Sequence, residues 1–131
     1  MTAEVLLDTH AFVWAITAPD RLGQTARETI EDRANTLRVS AATVWEMAIK
    51  LRSGRWPDVE PLVAEFEAVA ARLGTKPVAI SPAHALRAGL LPWDHRDPFD
   101  RMLAAQATIE QWPLVTRDTV FEGVPGLATI W

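Results

Sequence analysis

Five carboxylates stand in contexts that suit chemistry. Asp8 follows VLL in VLLDTH, Glu46 interrupts SAATVWEMAIK, Asp97 and Asp100 open DPFDRMLAAQA, and Asp118 closes LVTRD. There is no cysteine, and the histidines, His10, His84 and His95, are scattered. If these acids converge, each buried, unpaired charge costs several kcal/mol unless a cation or a proton intervenes. An oxygen-only donor set suits a hard ion, Mg²⁺ or Mn²⁺. Such an ion keeps several waters, takes a phosphate oxygen and supplies an activated hydroxide. An acidic protein that holds one is equipped to cleave an anionic polymer.

Each acid also has a plain structural use. Asp8 is placed to cap a helix over 9–17, and Asp97 is an N-cap with Pro98 at N1. Asp100, at N3, gains from the helix dipole. Glu46 precedes Lys50 by four residues, a pair worth only ~0.2–0.5 kcal/mol. Asp118 suits the start of a turn. Orientation separates the two readings at one position: Leu103, Ala104 and Ala107 are the i+3, i+4 and i+7 neighbours of Asp100, which therefore heads an apolar stripe. Glu46 lies at the margin of a stripe formed by Val44, Ala48 and Leu51, with Trp45 and Ile49 beside it.

The elements that must gather these acids are legible as alternation. Short β-rich runs occur at EVLL (4–7), TLRVS (36–40), KPVAI (76–80), PLVT (113–116) and LATIW (127–131). They are mostly not alternating, as strands covered on both faces should be. Helical patterns lie between them. Thr25 and Glu28 form a capping box for a helix to about Arg33, with Ala26, Ile30 and Ala34 on one face. A second pattern runs from Ser40, an N-cap, to Leu51. A third spans Pro61 to Leu73, with Gly74 as the C′ glycine. Ser81-Pro82 starts a short helix, and Asp97-Pro98 starts one running to about Gln111. Strands alternating with helices predict an α/β fold, a three-layer sandwich of about five mainly parallel strands flanked by helices. In such sheets ligands bind beyond the carboxyl ends of the strands, which is where these acids fall.

Composition bounds the rest. The 131 residues are 49% hydrophobic, which predicts one domain over 1–131 with a real core. No apolar run approaches the ~20 residues of a membrane span. The start, MTAEVLLDTHAF, lacks the features of a secretory signal, so a cytoplasmic protein is expected. The formal charge of −4 argues against a nucleic-acid coat, which needs a basic face, but not against a local encounter through a cation.

VLLDTHAFVWA, SAATVWEMAIK, DPFDRMLAAQA and LVTRD, in this order and spacing, resemble the PIN-domain nucleases, closest to the VapC-type toxins of bacterial toxin–antitoxin pairs. The resemblance runs from Asp8 to Asp118. It implies a Mg²⁺- or Mn²⁺-dependent endoribonuclease acting on RNA, a cognate antitoxin that covers the site, and a homodimer. It matches Asp8, Glu46, Asp100 and Asp118 to the family's four acids, and Thr116 to a supporting hydroxyl. On this basis Asp8 and Asp100 are direct or water-mediated ligands of the main metal. Asp118 and Glu46 complete the site on a second metal or through waters, or Glu46 orients the attacking water. Asp97 is read mainly as a cap, with a supporting or metal contact as the alternative. Arg96, Arg101 and Arg117 either hold phosphates bidentately or pair with these acids or with solvent. Trp56 and Trp93, in apparent loops, either stack on bases or anchor a partner, or close the core under a loop.

Three other functions compete. A phosphoacceptor receiver shares the sheet class, but TLRVS and KPVAI end without Asp and no Lys follows Ile80. A binding-only member of the nuclease fold and a housekeeping RNA-processing nuclease both keep the acids' positions.

Overall fold

The computed structural model describes residues 2–131. Its strands are β1 (Glu4–Leu7), β2 (Thr36–Ser40), β3 (Thr75–Val78), β4 (Leu114–Val115) and β5 (Thr129–Ile130). Its helices are α1 (Thr9–Thr17), α2 (Gln24–Glu31), α3 (Ala41–Arg52), α4 (Glu60–Ala64), α5 (Phe66–Leu73), α6 (Pro82–Leu90) and α7 (Pro98–Glu110). The sheet order is β3-β2-β1-β4-β5, and every pairing is parallel.

The two-residue pleat of β1 divides the core. Val5 and Leu7 join Phe12, Val39, Met47, Val69 and Val115 on one face. Leu6 joins Leu103, Ala104, Ala107, Leu114 and Phe121 on the other. Helices α1 to α5 therefore cover one face of the sheet, and α7 covers the other. This is the three-layer α/β arrangement expected from the alternation of elements.

Several local expectations differ from the structure. The chain enters α2 from Gly23, with no side-chain cap, so the Thr25–Glu28 capping box does not form. The carbonyl of Trp131 instead accepts from Ala26 N at 3.0 Å. The chain end thus does the work of a cap, and a Cβ on Gly23 would lie 2.5 Å from that oxygen. The pattern over 61–73 is two helices, because Glu65 leaves helical geometry at φ −127°. Hydrogen bonds cross the bend, from Glu65 N to Pro61 O and from Val69 N to Glu65 O, so the chain turns without losing the ladder. Gly74 takes the left-handed conformation (φ 79°) expected of a glycine that ends a helix. Strand β3 runs over Thr75–Val78 rather than 76–80: its partner β2 gives way to α3 after Ser40, opposite Val78.

Candidate active site

Because all the strands are parallel, their carboxyl ends share one edge. Counting from β1, the chain adds β2 and β3 on one side and β4 and β5 on the other. The order therefore reverses between β1 and β4, where open α/β sheets form a crevice. Asp8 leaves β1 at this point and Thr116 leaves β4. The two are joined directly: Asp8 N donates to Val115 O at 3.0 Å, and Thr116 Oγ1 donates to Asp8 Oδ2 at 2.5 Å. The other carboxylate oxygen of Asp8 accepts from Ala11 N at 2.7 Å, so Asp8 does cap α1.

Asp8 is 8% exposed and has no cationic partner among the described residues. Burial pushes its carboxyl up to about 6, against the two hydrogen bonds, and the charges of Asp100 and Glu46 add to the rise. Asp100 is also pushed up to about 6, first by burial, with Asp97 and Glu46 raising it further and the His95 hydrogen bond opposing. It arrives at the same edge because α7 runs back across the sheet, with its N-terminus beside the strand ends. Leu103, Ala104 and Ala107 are buried below it, as its place at the head of that stripe requires.

Helix α3 is turned differently from the expected stripe. Its buried face is Ala42, Thr43, Glu46 and Met47, while Ala48 and Trp45 are exposed and Val44 is half-buried. Glu46 lies within the buried face rather than at its margin, at 5% exposure. The misreading has a physical cause. Val44, Trp45 and Ala48 line an open apolar cleft with Pro77 and Val78, so the most hydrophobic side of the helix is not its covered side. Both oxygens of Glu46 are engaged. Thr9 Oγ1 donates to Oε1 at 2.6 Å, and Lys50 Nζ donates to Oε2 at 2.7 Å. The Lys50 pair and an inward aim thus coexist.

Asp118 is exposed. Its side chain accepts from Val120 N at 3.0 Å and caps a 3₁₀ turn over Thr119–Gly123. Its backbone N–H donates to Thr116 Oγ1 at 3.0 Å, so Thr116 links the first and the fourth acid. Asp8 and Asp118 share a cleft of about 340 Å³ with His10, Trp14, Arg117 and Thr119. Asp97 caps α7, accepting from Phe99 N and Asp100 N at 2.9 and 3.0 Å. Arg117 is exposed, with its guanidinium 5.9 Å from the Trp14 ring.

Arg101 has a different task from holding phosphate. Its Nε donates to Ala88 O, its Nη1 to Trp93 O and His95 O, and its Nη2 to Leu91 O and, at 3.5 Å, to Gly89 O. All five N–H groups are committed to carbonyls, so no fork is left for a phosphate. The residue straps the 88–95 segment onto α7. That segment carries His95, whose Nε2 lies 2.7 Å from Asp100 Oδ2. His95 and Thr9 are contacts of the acids that sequence reasoning did not select. The available signal for His95 was its position just ahead of a capped, proline-started helix whose N3 residue is an acid. Trp93 packs on Phe121 at 5.6 Å and Trp56 stacks on His10 at 4.9 Å, so both tryptophans are engaged within the protein. Burial, and then the charge of Lys50, lowers the His10 pKa.

Among the described residues no three acidic or imidazole groups stand close enough together to hold a metal ion between them. Mg²⁺ does not require three, since it is commonly held by one or two carboxylates with waters completing the shell. The donor chemistry fits. Two carboxylates at one edge, Asp8 and Asp100, are pushed up to about 6 by burial and by neighbouring acids, and a hard cation would relieve both effects.

Residues 5–127 match the PIN domain family. The chain is 33% identical to Ribonuclease VapC22 of Mycobacterium tuberculosis over 130 residues, 97% of this chain and 98% of that protein. Its fold is similar to that in the crystal structure of VapBC2 from Rickettsia felis bound to a promoter DNA fragment, with TM-score 0.69, 17% identity, and 96% of each chain covered. It is also similar to VapC20 of M. tuberculosis, described as a sarcin-ricin loop cleaving toxin, with TM-score 0.61, 15% identity, and 95% of this chain and 98% of that one covered.

Proposed function

From the premise that the chain belongs to the PIN-domain family, we propose that it is a metal-dependent endoribonuclease and the toxin of a toxin–antitoxin pair. The observation that carries this is the buried Asp8 at the switch point, with no cationic partner among the described residues and within the field of Asp100 and Glu46. Asp8 and Asp100 would hold Mg²⁺ or Mn²⁺, with Glu46 and Asp118 completing the site. When bound, such an ion supplies an activated water and offsets the charge that develops on a phosphodiester.

The chain's own residues do the rest. Thr116 fixes one oxygen of Asp8, and the Ala11 amide fixes the other. Glu46, held by Thr9 and Lys50, is placed to orient a water. Arg117, exposed at the rim of the cleft, would meet phosphates of the RNA strand. Water is the nucleophile: its oxygen bonds to phosphorus, the bond to the leaving ribose oxygen breaks, and that oxygen takes a proton. No serine–histidine pair lies among these residues to form a covalent intermediate.

The relative named Ribonuclease VapC22 supports the RNA substrate, and the neighbour named VapBC2 supports an antitoxin partner. Apolar side chains left open, Leu86 and Leu90 on α6 and Trp45 on α3, offer surface for an antitoxin and for a second copy of the chain. The receiver alternative is disfavoured by topology, because receivers order their strands 2-1-3-4-5 and this sheet reads 3-2-1-4-5.

The test is cleavage of total cellular RNA, tRNA included, by the partner-free chain with Mn²⁺ or Mg²⁺ or with chelator. A folded Asp100→Asn variant runs beside it. Discrete metal-dependent fragments that vanish in the variant are expected. Metal binding without cleavage would favour the binding-only reading, and cleavage by the variant equal to wild type would remove Asp100 from the site.

A further inference from the structure

We infer that His95 is a positioning residue for the cation site, presenting the Asp100 carboxylate through its Nε2–H. This rests on the reading of Asp100 as a metal ligand. The pair is close, 2.7 Å from Nε2 to Oδ2, and with the carboxylate ionised the imidazole is the donor. Among the described residues, Asp100 Oδ1 accepts no hydrogen bond, so the carboxylate is gripped through one oxygen and the other has no donor. A ligand held in this way presents one oxygen in a fixed direction. Outer partners of this kind set ligand orientation in metal sites.

The support of His95 is itself built. Its ring packs against Trp93 at 4.9 Å, and Trp93 packs against buried Phe121 at 5.6 Å. Its carbonyl accepts from Arg101 Nη1 at 3.0 Å, and the Trp93 carbonyl accepts from the same nitrogen at 2.6 Å. Arg101 follows Asp100 on α7. The helix that carries the acid therefore also carries the strap that places the imidazole against it. A half-exposed ion pair would need none of this, since such a pair is worth only ~0–1 kcal/mol. One donor of the Arg101 strap, on the His95 carbonyl, and the tilted packing of the ring on Trp93 hold the imidazole against Asp100.

The imidazole also favours the ionised form of Asp100, the form a cation needs, against the burial that raises it. Lys50 Nζ donates to Glu46 Oε2 at 2.7 Å, a second contact that fixes an acid of this edge from one side. The acids nearest the centre thus differ in how they are held: Asp8 by a hydroxyl and an amide, Asp100 by an imidazole, and Glu46 by a hydroxyl and an ammonium.

The test is Mn²⁺ titration by calorimetry on the partner-free chain and on His95→Ala and His95→Gln, with thermal melts to confirm folding. Glutamine keeps an amide donor at a similar reach. His95→Ala should weaken Mn²⁺ binding ~10–100-fold, whereas His95→Gln should stay within about threefold of wild type. RNA cleavage by His95→Ala should recover as Mn²⁺ is raised to saturation, which loss of a residue acting on the substrate would not allow. Equal Mn²⁺ affinity in wild type and His95→Ala would overturn the inference while leaving the cation site intact. So would a His95→Gln variant as weak as His95→Ala. A wild-type chain that binds no Mn²⁺ would remove the cation reading and this inference with it.

Discussion

Asp8→Asn should stabilise the metal-free chain at neutral pH while abolishing cleavage. The carboxyl of Asp8 is pushed from 3.8 to about 6, with burial as the first cause. At 1.36 kcal/mol per pKa unit, that difference corresponds to ~3 kcal/mol. The sign follows from proton binding. Below 3.8 both the folded and the unfolded chain hold the proton, and there is no penalty. Between 3.8 and 6 the folded chain holds more protons than the unfolded one, so stability falls as pH rises. Above 6 the whole penalty remains. Asparagine carries no charge and keeps the bond from the Ala11 amide, but it gives up the acceptor that Thr116 uses, a loss of ~1 kcal/mol.

The variant should therefore be ~2 kcal/mol more stable than wild type at pH 7.5 and ~1 kcal/mol less stable below pH 4, the sum and the remainder of those two effects. Urea denaturation in EDTA across this range reads the crossing directly. By melting temperature the gain at pH 7.5 is ~6–10 °C for a chain of this size. Saturating Mn²⁺ should reverse the order, since only wild type gains binding free energy, ~2.7 kcal/mol at a hundred times the dissociation constant. An Asp8→Asn chain less stable than wild type by the same amount at every pH would refute the reasoning: Asp8 would then be a comfortable cap, with no strain for a cation to relieve.

Two further substitutions test the parts that hold this edge together. Arg101→Met strands the carbonyls at Ala88, Trp93 and His95 and should cost at least ~1–3 kcal/mol in urea denaturation; an unchanged midpoint would mean that water replaces the strap. Gly23→Ala should lower the melting temperature, because its Cβ would meet the Trp131 carbonyl at 2.5 Å; that contact closes α2, and a neutral result would show that the chain end yields freely.

The α/β class and the edge on which the acids fall were legible because both depend on alternation, which the sequence displays over the whole chain. Caps written in adjacent residues were legible too: Ser40, Ser81 and Asp97 each accept from the backbone as expected. What failed were features that depend on distant chain. The capping box at Thr25 lost to the carbonyl of Trp131, over a hundred residues away, which no local pattern encodes. The stripe on α3 was assigned to its most apolar side, yet that side is open, and the buried side carries Thr43 and Glu46. Hydrophobic periodicity assumes that water takes the polar face. It misorients a helix that carries a polar site inward and an apolar surface outward.

The same limit explains why the cations were harder to assign than the acids. An acid after a parallel strand is located by topology, since every strand end comes to one edge. An arginine beside it in sequence is not, because a long side chain can turn away. Arg101 adjoins Asp100, yet it turns back onto the 88–95 segment and spends its five donors on carbonyls. The group that reaches Asp100 is His95, five residues earlier, brought back by the turn that Asp97 and Pro98 impose. An acidic cluster is thus legible from where strands end. The groups that balance its charge are legible only once the loops before its helices are folded.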